Sequence, residues 1–307
     1  MSARNTLTLS LSLTAISLCN IGCDDSLKDV TLIEETRVLG ARIESDVDAG
    51  QATPNPGDSA SLRLFVAATS AEPNFSYALS VCAVQDTTLG FPPCASAPFA
   101  STIRVEPSPS DARLDFSVPD DIDLKDTPHA FARGLICPDS SLILAADGSP
   151  SCATGSGKEV AYEFPLGGAK EDNRNPGFAA DALLLDGEPW LASTETSCDS
   201  HALPQVAAKS LHGLRVTLSE SDFELLEQAN SVEPARETLL VSNFATAGKL
   251  DHGFISLNVD TPPDQRRVDW AAPPLADSVP LLVRFYFVVR DARSGEDFTT
   301  RALCVVP

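Results

Sequence analysis

Leu281-Leu282-Val283-Arg284-Phe285-Tyr286-Phe287-Val288-Val289-Arg290 decides the fold. Leu281, Val283, Phe285, Phe287 and Val289 alternate with Leu282, Arg284, Tyr286, Val288 and Arg290. A period of two is the spacing of a strand, whose successive side chains point to opposite faces. Asp291-Ala292-Arg293-Ser294-Gly295 then turns the chain into a second apolar run over residues 298–306. Two such runs around a short polar turn read as an antiparallel hairpin.

The same period recurs upstream in shorter pieces. Val38, Leu39, Ala41 and Ile43 mark a first strand, and Pro54-Asn55-Pro56-Gly57-Asp58 a turn, because Pro fixes φ and Gly supplies φ > 0. Leu62, Leu64 and Val66 follow, alternating with Arg63 and Phe65. Further runs carry Tyr77, Leu79 and Val81; Ile103 and Val105; Leu114, Phe116 and Val118; Phe131, Arg133 and Leu135; and Val160, Tyr162 and Phe164. Short strands broken by Pro, Gly and Asp suit an antiparallel sandwich. A second set lies at residues 182–185, at Leu214, Val216 and Leu218, at residues 239–244, and at Ile255, Leu257 and Val259. Ser221 and Glu224 have the spacing of a capping box, with Phe223, Leu226 and Ala229 on one face, which predicts one short helix to about Asn230. The polar, breaker-rich stretch 167–177 separates the two sets. The expected layout is a signal over 1–22, a tether over 23–36, one sandwich over 37–168 and a second over 169–307.

The chain opens with Arg4 and an apolar run through Leu7, Leu9, Leu11, Leu13, Ala15, Ile16 and Leu18, then Cys19-Asn20-Ile21-Gly22-Cys23. A basic start, a run too short to span a bilayer and small residues at its end describe a secretory signal. The segment resembles a bacterial lipoprotein signal, with Gly22 and Cys23 as its closing small residue and cysteine. That resemblance makes Cys23 the lipid-bearing N-terminus of a cell-envelope protein, on the inner or outer membrane, in the periplasm or at the surface. The strand, Pro-Gly-Asp turn, strand of the first half is similar to the start of bacterial immunoglobulin-like domains. Trp270-Ala271-Ala272-Pro273, a loop and the closing hairpin resemble the last part of PKD-like and immunoglobulin-like domains. The layout resembles lipoproteins of myxobacteria and their relatives, which carry such domains in tandem. This implies immunoglobulin-like folds and an address, but no activity.

Six cysteines remain after the signal region: Cys82, Cys94, Cys137, Cys152, Cys198 and Cys304. An even number in an exported chain reads as disulfides, and the absence of C-x-x-C pairs argues against zinc. The pairs taken are Cys82–Cys94 and Cys137–Cys152, which close short turn-rich loops, and Cys198–Cys304, which ties an early loop of the second half to the last strand. The net charge of −21 gives no basic stripe to neutralise phosphates, so nucleic acid is not an expected partner.

Catalytic motifs are thin. Gly155-Ser156-Gly157-Lys158 lacks the first Gly and the hydroxyl of a phosphate loop and reads as a turn. His129, His201, His212 and His252 are scattered, so neither His201 near Asp199 nor His252 beside Asp251 reads as a metal site. Residues 172–175 lack the alternating acids of a calcium loop. Asn74-Phe75-Ser76 is a sequon of little weight in such a chain, and Trp190 and Trp270 read as core. The expectation is a non-enzymatic envelope protein, without metal or cofactor, that binds an envelope protein or glycan or acts as a spacer. The first contact surface is the loop 195–205. The alternative is a secreted hydrolase or carbohydrate-active protein whose site lies between the two halves.

Overall fold

The period-two runs become strands in the computed structural model, which describes residues 29–307 except 71, 85–93, 96, 110, 123–128, 168–172, 200–201 and 227–234. The signal, Cys23 and His201 lie outside the described residues. In the first half the strands are β1 (Arg37–Ser45), β2 (Ser59–Ala67), β3 (Phe75–Ala83), β4 (Ala100–Ser108), β5 (Arg113–Ser117), β6 (His129–Pro138), β7 (Leu142–Leu144), β8 (Pro150–Cys152) and β9 (Lys158–Pro165). One sheet has the order β1-β2-β5 and the facing one β4-β3-β6-β9, all antiparallel, with β7 and β8 as a side hairpin. Their inner faces enclose Ile43, Leu62, Leu64, Leu79, Val81, Leu114, Ile136 and Phe164.

The second half contributes β10 (Leu183–Leu185), β11 (Glu188–Pro189), β12 (Gln205–Ala207), β13 (Leu211–Val216), β14 (Leu225–Leu226), β15 (Ala235–Arg236), β16 (Leu239–Ala245), β17 (Lys249–Leu250), β18 (Phe254–Leu257), β19 (Arg267–Ala271), β20 (Leu281–Arg290) and β21 (Glu296–Val306). Its sheets run β11-β10-β13-β19-β17 and β12-β21-β20-β16-β18. Strands β10, β13, β19 and β17 stand in the A-B-E-D order of an immunoglobulin domain, and β16, β20 and β21 in the C-F-G order. In the first half, β1-β2-β5 and β3-β6-β9 repeat A-B-E and C-F-G. The protein is all-β and immunoglobulin-like in both halves. The deciding hairpin pairs from Leu281↔Val305 to Arg290↔Glu296 without a slip. Trp190 and Trp270 are fully buried and meet Phe285 edge-on, each 5.0 Å from its ring. Their indole N–H groups donate to the carbonyls of Ala302 and Ala247, so both are core residues.

Two expectations are corrected. The helix from Ser221 is a single 3-10 turn, Glu220–Asp222, and its capping box is Ser219 with Asp222. Leu225 and Leu226 are extended and pair with Arg236 and Ala235. Glu224 is drawn into a pair with Arg293, and its backbone N–H donates to Glu237, so it does not cap a helix. The tether is also shorter than residue 36. Ile33 N–H donates to the Ala245 carbonyl at 2.8 Å, Ala245 N–H donates to Thr31 at 3.0 Å, and Ile33 is fully buried. An apolar side chain among charged neighbours found an apolar slot between the sandwiches.

The sandwiches meet face to face. The outer faces of β1 and β2 offer Leu39, Phe65 and Ala67, which pack on Tyr286, Val288, Phe244 and Phe298 from the outer face of β16, β20 and β21. Phe65 stacks on Phe298 at 4.4 Å, and Tyr286 Oη donates to the Ala68 carbonyl at 2.7 Å. A β-bulge between Val38 and Gly40 lets β1 serve both sides. Val38 and Ala41 face their own core, while Leu39 faces the neighbouring sandwich.

Candidate functional site

Two places gather chemistry-bearing side chains. The first is the seam between the sandwiches, where the turn after β20 meets β1. Glu296 is 2% exposed; its Oε2 accepts the Ala41 N–H at 3.0 Å and its Oε1 faces Arg290 at 2.6 Å. Gly40 lies against this carboxylate, and a Cβ there would collide with it, so the glycine permits the approach. Arg42 pairs with Asp297 at 2.8 Å and with Glu44 at 2.9 Å. Asn175 spans the seam: its Nδ2 donates to the Ile43 carbonyl at 2.7 Å, and its Oδ1 accepts the Glu296 N–H at 3.0 Å. Asn173 donates to the Arg293 carbonyl at 3.0 Å, and Tyr162 Oη donates to Ser294 at 3.0 Å. Arg293 pairs with Glu224 and with Glu237.

Burial is the main cause of the electrostatics here. It pushes the Glu296 carboxyl up to about 7, against the pull of Arg290. It also raises Asp291 and Glu237 above the ordinary carboxylate range, and raises the Tyr162 phenol. A raised carboxyl among other acids is the signature a catalytic acid would show. Its access decides otherwise. Glu296 lies beneath Gly40 and Arg290, and every hydrogen-bonding partner it has belongs to the joint. A neighbouring cavity of about 420 Å³, between Phe65, Phe75, Tyr286 and Phe298, is lined by one carboxylate, Asp111, and by Arg284 and Arg301. Among the described residues lining it there is neither a carboxylate pair nor a histidine.

The second place is one end of the second sandwich. His212 Nδ1 lies 2.6 Å from Asp186 Oδ2, and His212 Nε2 lies 2.5 Å from Ser210 Oγ. That is the connectivity of a Ser-His-Asp triad. The expectation of scattered, isolated histidines is corrected at this residue; His129 also faces Glu163 at 3.2 Å, and His252 faces Asp251 at 3.0 Å. Asp186 has φ +52° in the β10–β11 turn, which swings its carboxylate to β13, where Oδ1 accepts the Gly213 N–H at 2.8 Å. Burial raises the Asp186 carboxyl, but the bonds from His212 and Gly213 outweigh it and hold the group below its ordinary value. Ser210 sits two residues before His212 at the end of the turn from β12.

The serine hydroxyl has two partners within hydrogen-bonding reach. One is the Ala207 carbonyl at 2.5 Å, a group that can only accept. The other is His212 Nε2, which can accept from it when the Nδ1 proton is given to the Asp186 carboxylate. The chain Asp186–His212–Ser210–Ala207 ties two turns together over Trp270, whose ring lies 6.1 Å from the imidazole. No sequence motif announces it, because Asp186 reaches the others only through the pairing of β10 with β13.

The remaining candidates fall as follows. The bonded cysteines are Cys82–Cys94, Cys137–Cys152 and Cys198–Cys304, with Cα separations of 5.6, 5.4 and 5.7 Å. The loop 195–205 is not free over its length. Leu203 is buried against Ala302 and Cys304, and Gln205 begins β12, which pairs with β21. Gly155 lies in a bend, and Lys158 opens β9 and pairs with Glu35 at 2.7 Å. Ser76 of the sequon is fully buried and donates to the Ser140 carbonyl. Among the described residues no three His, Cys, Asp or Glu side chains come together as metal ligands. Among them too, no helix is long and apolar enough to cross a membrane.

No family model matches the chain, and no curated protein matches it. Among solved structures it is similar to dimeric latent PorU from Porphyromonas gingivalis, at 12% identity and a TM-score of 0.21, over 87% of this chain and 24% of that one. It is thus about a quarter of PorU in length. It is also similar to a marsupial T cell receptor, at 10% identity and a TM-score of 0.18, over 89% of this chain and 98% of that one. The fold rests on strand order and register, not on these likenesses.

Proposed function

We propose that the protein is a lipid-anchored cell-envelope protein that works by contact, as a binding module or spacer, and performs no chemistry on its partner. The observation that supports this reading best is the seam. The most perturbed acid of the described residues is spent on joining two sandwiches, and so are Arg42, Arg290, Asn173 and Asn175. Groups arranged this way make a stiff body, and a stiff body suits a spacer or a presenting scaffold. Contact with an envelope protein or glycan would use loops at the sandwich ends, starting with the exposed segment before Cys198. The three disulfides fit an oxidising compartment.

Cys23 carries the anchor in this reading, as the cysteine after Gly22 at the end of the apolar run. Several acyl chains, at ~0.8 kcal/mol per buried CH₂, hold a protein stably on a bilayer. Cys23→Ala should move the protein from the membrane to the soluble fraction. A variant that remains on the membrane at the mature size would show that Cys23 is not the anchor. Turnover of an ester, peptide or glycan by the purified protein, lost in Ser210→Ala, would replace the contact reading with the hydrolase one.

A further inference from the structure

The outer face of the second sandwich is only partly covered. Along one row of that face, Phe254, Ser242, Val288 and Phe298 lie side by side on neighbouring strands. Phe298 and Val288 pack against the first sandwich. Phe254, at the other end of the row, is 62% exposed. Leu240 lies diagonally beside it on the same face and is 38% exposed. The N-terminal segment runs along this edge. Thr31 and Ile33 bond to Ala245, the last residue of β16, and a Cβ on Gly253, just before β18, would stand 2.9 Å from Thr31. Val30, the next residue toward the N-terminus, is 69% exposed. The chain therefore leaves the body next to Phe254, and Asp29 is only six positions from Cys23. At ~3.3 Å per position, the span reaches at most about 20 Å.

We infer that Val30, Leu240 and Phe254 form the surface on which the body rests against a phospholipid membrane. This rests on the anchored reading above. With the acyl chains at Cys23, a span this short keeps the edge of β18 near the headgroups. An exposed aromatic ring and two aliphatic side chains beside the anchor match the boundary between headgroups and acyl chains. Around these side chains Asp29, Glu34 and Asp251 alternate with Arg37, whose guanidinium donates to the Val30 carbonyl, and Lys249, and this mixed charge suits zwitterionic headgroups. The orientation follows: the second sandwich lies on the bilayer by its β18 edge, and the far end of the first sandwich points away.

The test uses the lipidated protein in phosphatidylcholine vesicles with brominated acyl chains. Trp190 and Trp270 are buried and give a constant background. F254W adds an emitter at the proposed contact, and I143W adds one at a half-exposed site on the first sandwich. The added emission of F254W should shift to the blue and be quenched in brominated vesicles, and that of I143W should do neither. Acyl mass on Cys23 and flotation with the vesicles are measured on the same samples. Lipidated, floating protein with unquenched F254W would overturn the membrane seat and leave the anchor standing. Absence of lipid on Cys23 would overturn both. A blue shift of F254W in soluble Cys23→Ala protein without vesicles, growing with concentration, would assign the surface to a second copy and overturn the seat.

Discussion

At the scale of single residues, Glu296 makes the strongest physical demand. Its carboxyl is pushed up to about 7 in the fold, from an ordinary value of 4.5. A raised acid favours the folded state while it is protonated and loses that advantage as pH climbs. Stability is therefore fully present below pH 4.5 and falls through the window up to about 7. At ~1.4 kcal/mol per unit, the loss is about 3 kcal/mol. Asp291, Glu237 and Asp222 are raised by burial as well and add to the same slope. Exposed acids with lowered values, such as Asp48 and Asp147, are already ionised in both states across this window and add no slope to it. Glu296→Gln keeps the shape and removes the titration. Urea unfolding of both proteins between pH 4.5 and 7.5 should show the wild type losing stability and the variant losing about 3 kcal/mol less over that window. Parallel pH profiles would contradict this assignment. None of it was legible in the sequence: forty-three acids give no sign of which one is sealed. The Ser210–His212–Asp186 chain was hidden for a related reason, since a β-turn and a strand pairing create it.

At the scale of elements, the alternating runs were legible and the short pieces were not. Period two marked β1, β2, β3, β4, β5, β6, β9, β13, β16 and β20, because each is long enough to show a pattern, and β21 showed as an apolar run. Two- and three-residue strands such as β11, β14 and β17 carry no period, and pairing alone defines them. The helix expected from Ser221 went wrong because Glu224 could satisfy a capping spacing or an arginine, and Arg293 took it. The cysteines were legible as bridges by their even number and spacing. The bridge from Cys198 to Cys304 has a separation of 106 residues and fastens a buried Leu203 against β21. Chain entropy gives such a loop about 4 to 5 kcal/mol. Replacing Cys198 and Cys304 by Ser should lower unfolding stability by that order in urea titrations. A loss under about 1 kcal/mol would mean that the strand pairing of β12 and β21 holds the loop without help.

At the scale of the whole molecule, the clue to the seam stood in the deciding stretch. Both alternating sets between Phe285 and Val289 are apolar, as are both faces of β2 at Leu64, Phe65 and Val66. A strand with one covered face alternates with polar residues, and one that is apolar on both is covered twice. Phe65, Tyr286, Val288 and Phe298 are the second layer, and each sandwich covers the other. What the sequence could not convey is the partner, since β1 and β2 lie over two hundred residues away. The central claim is that this seam makes the two sandwiches one body. Scanning calorimetry measures it most directly, in wild type and in Val288→Asp, which places a charge at a fully buried position. The wild type should unfold in one cooperative transition and the variant in two separated ones. Two resolved transitions in the wild type, unchanged in the variant, would contradict the account.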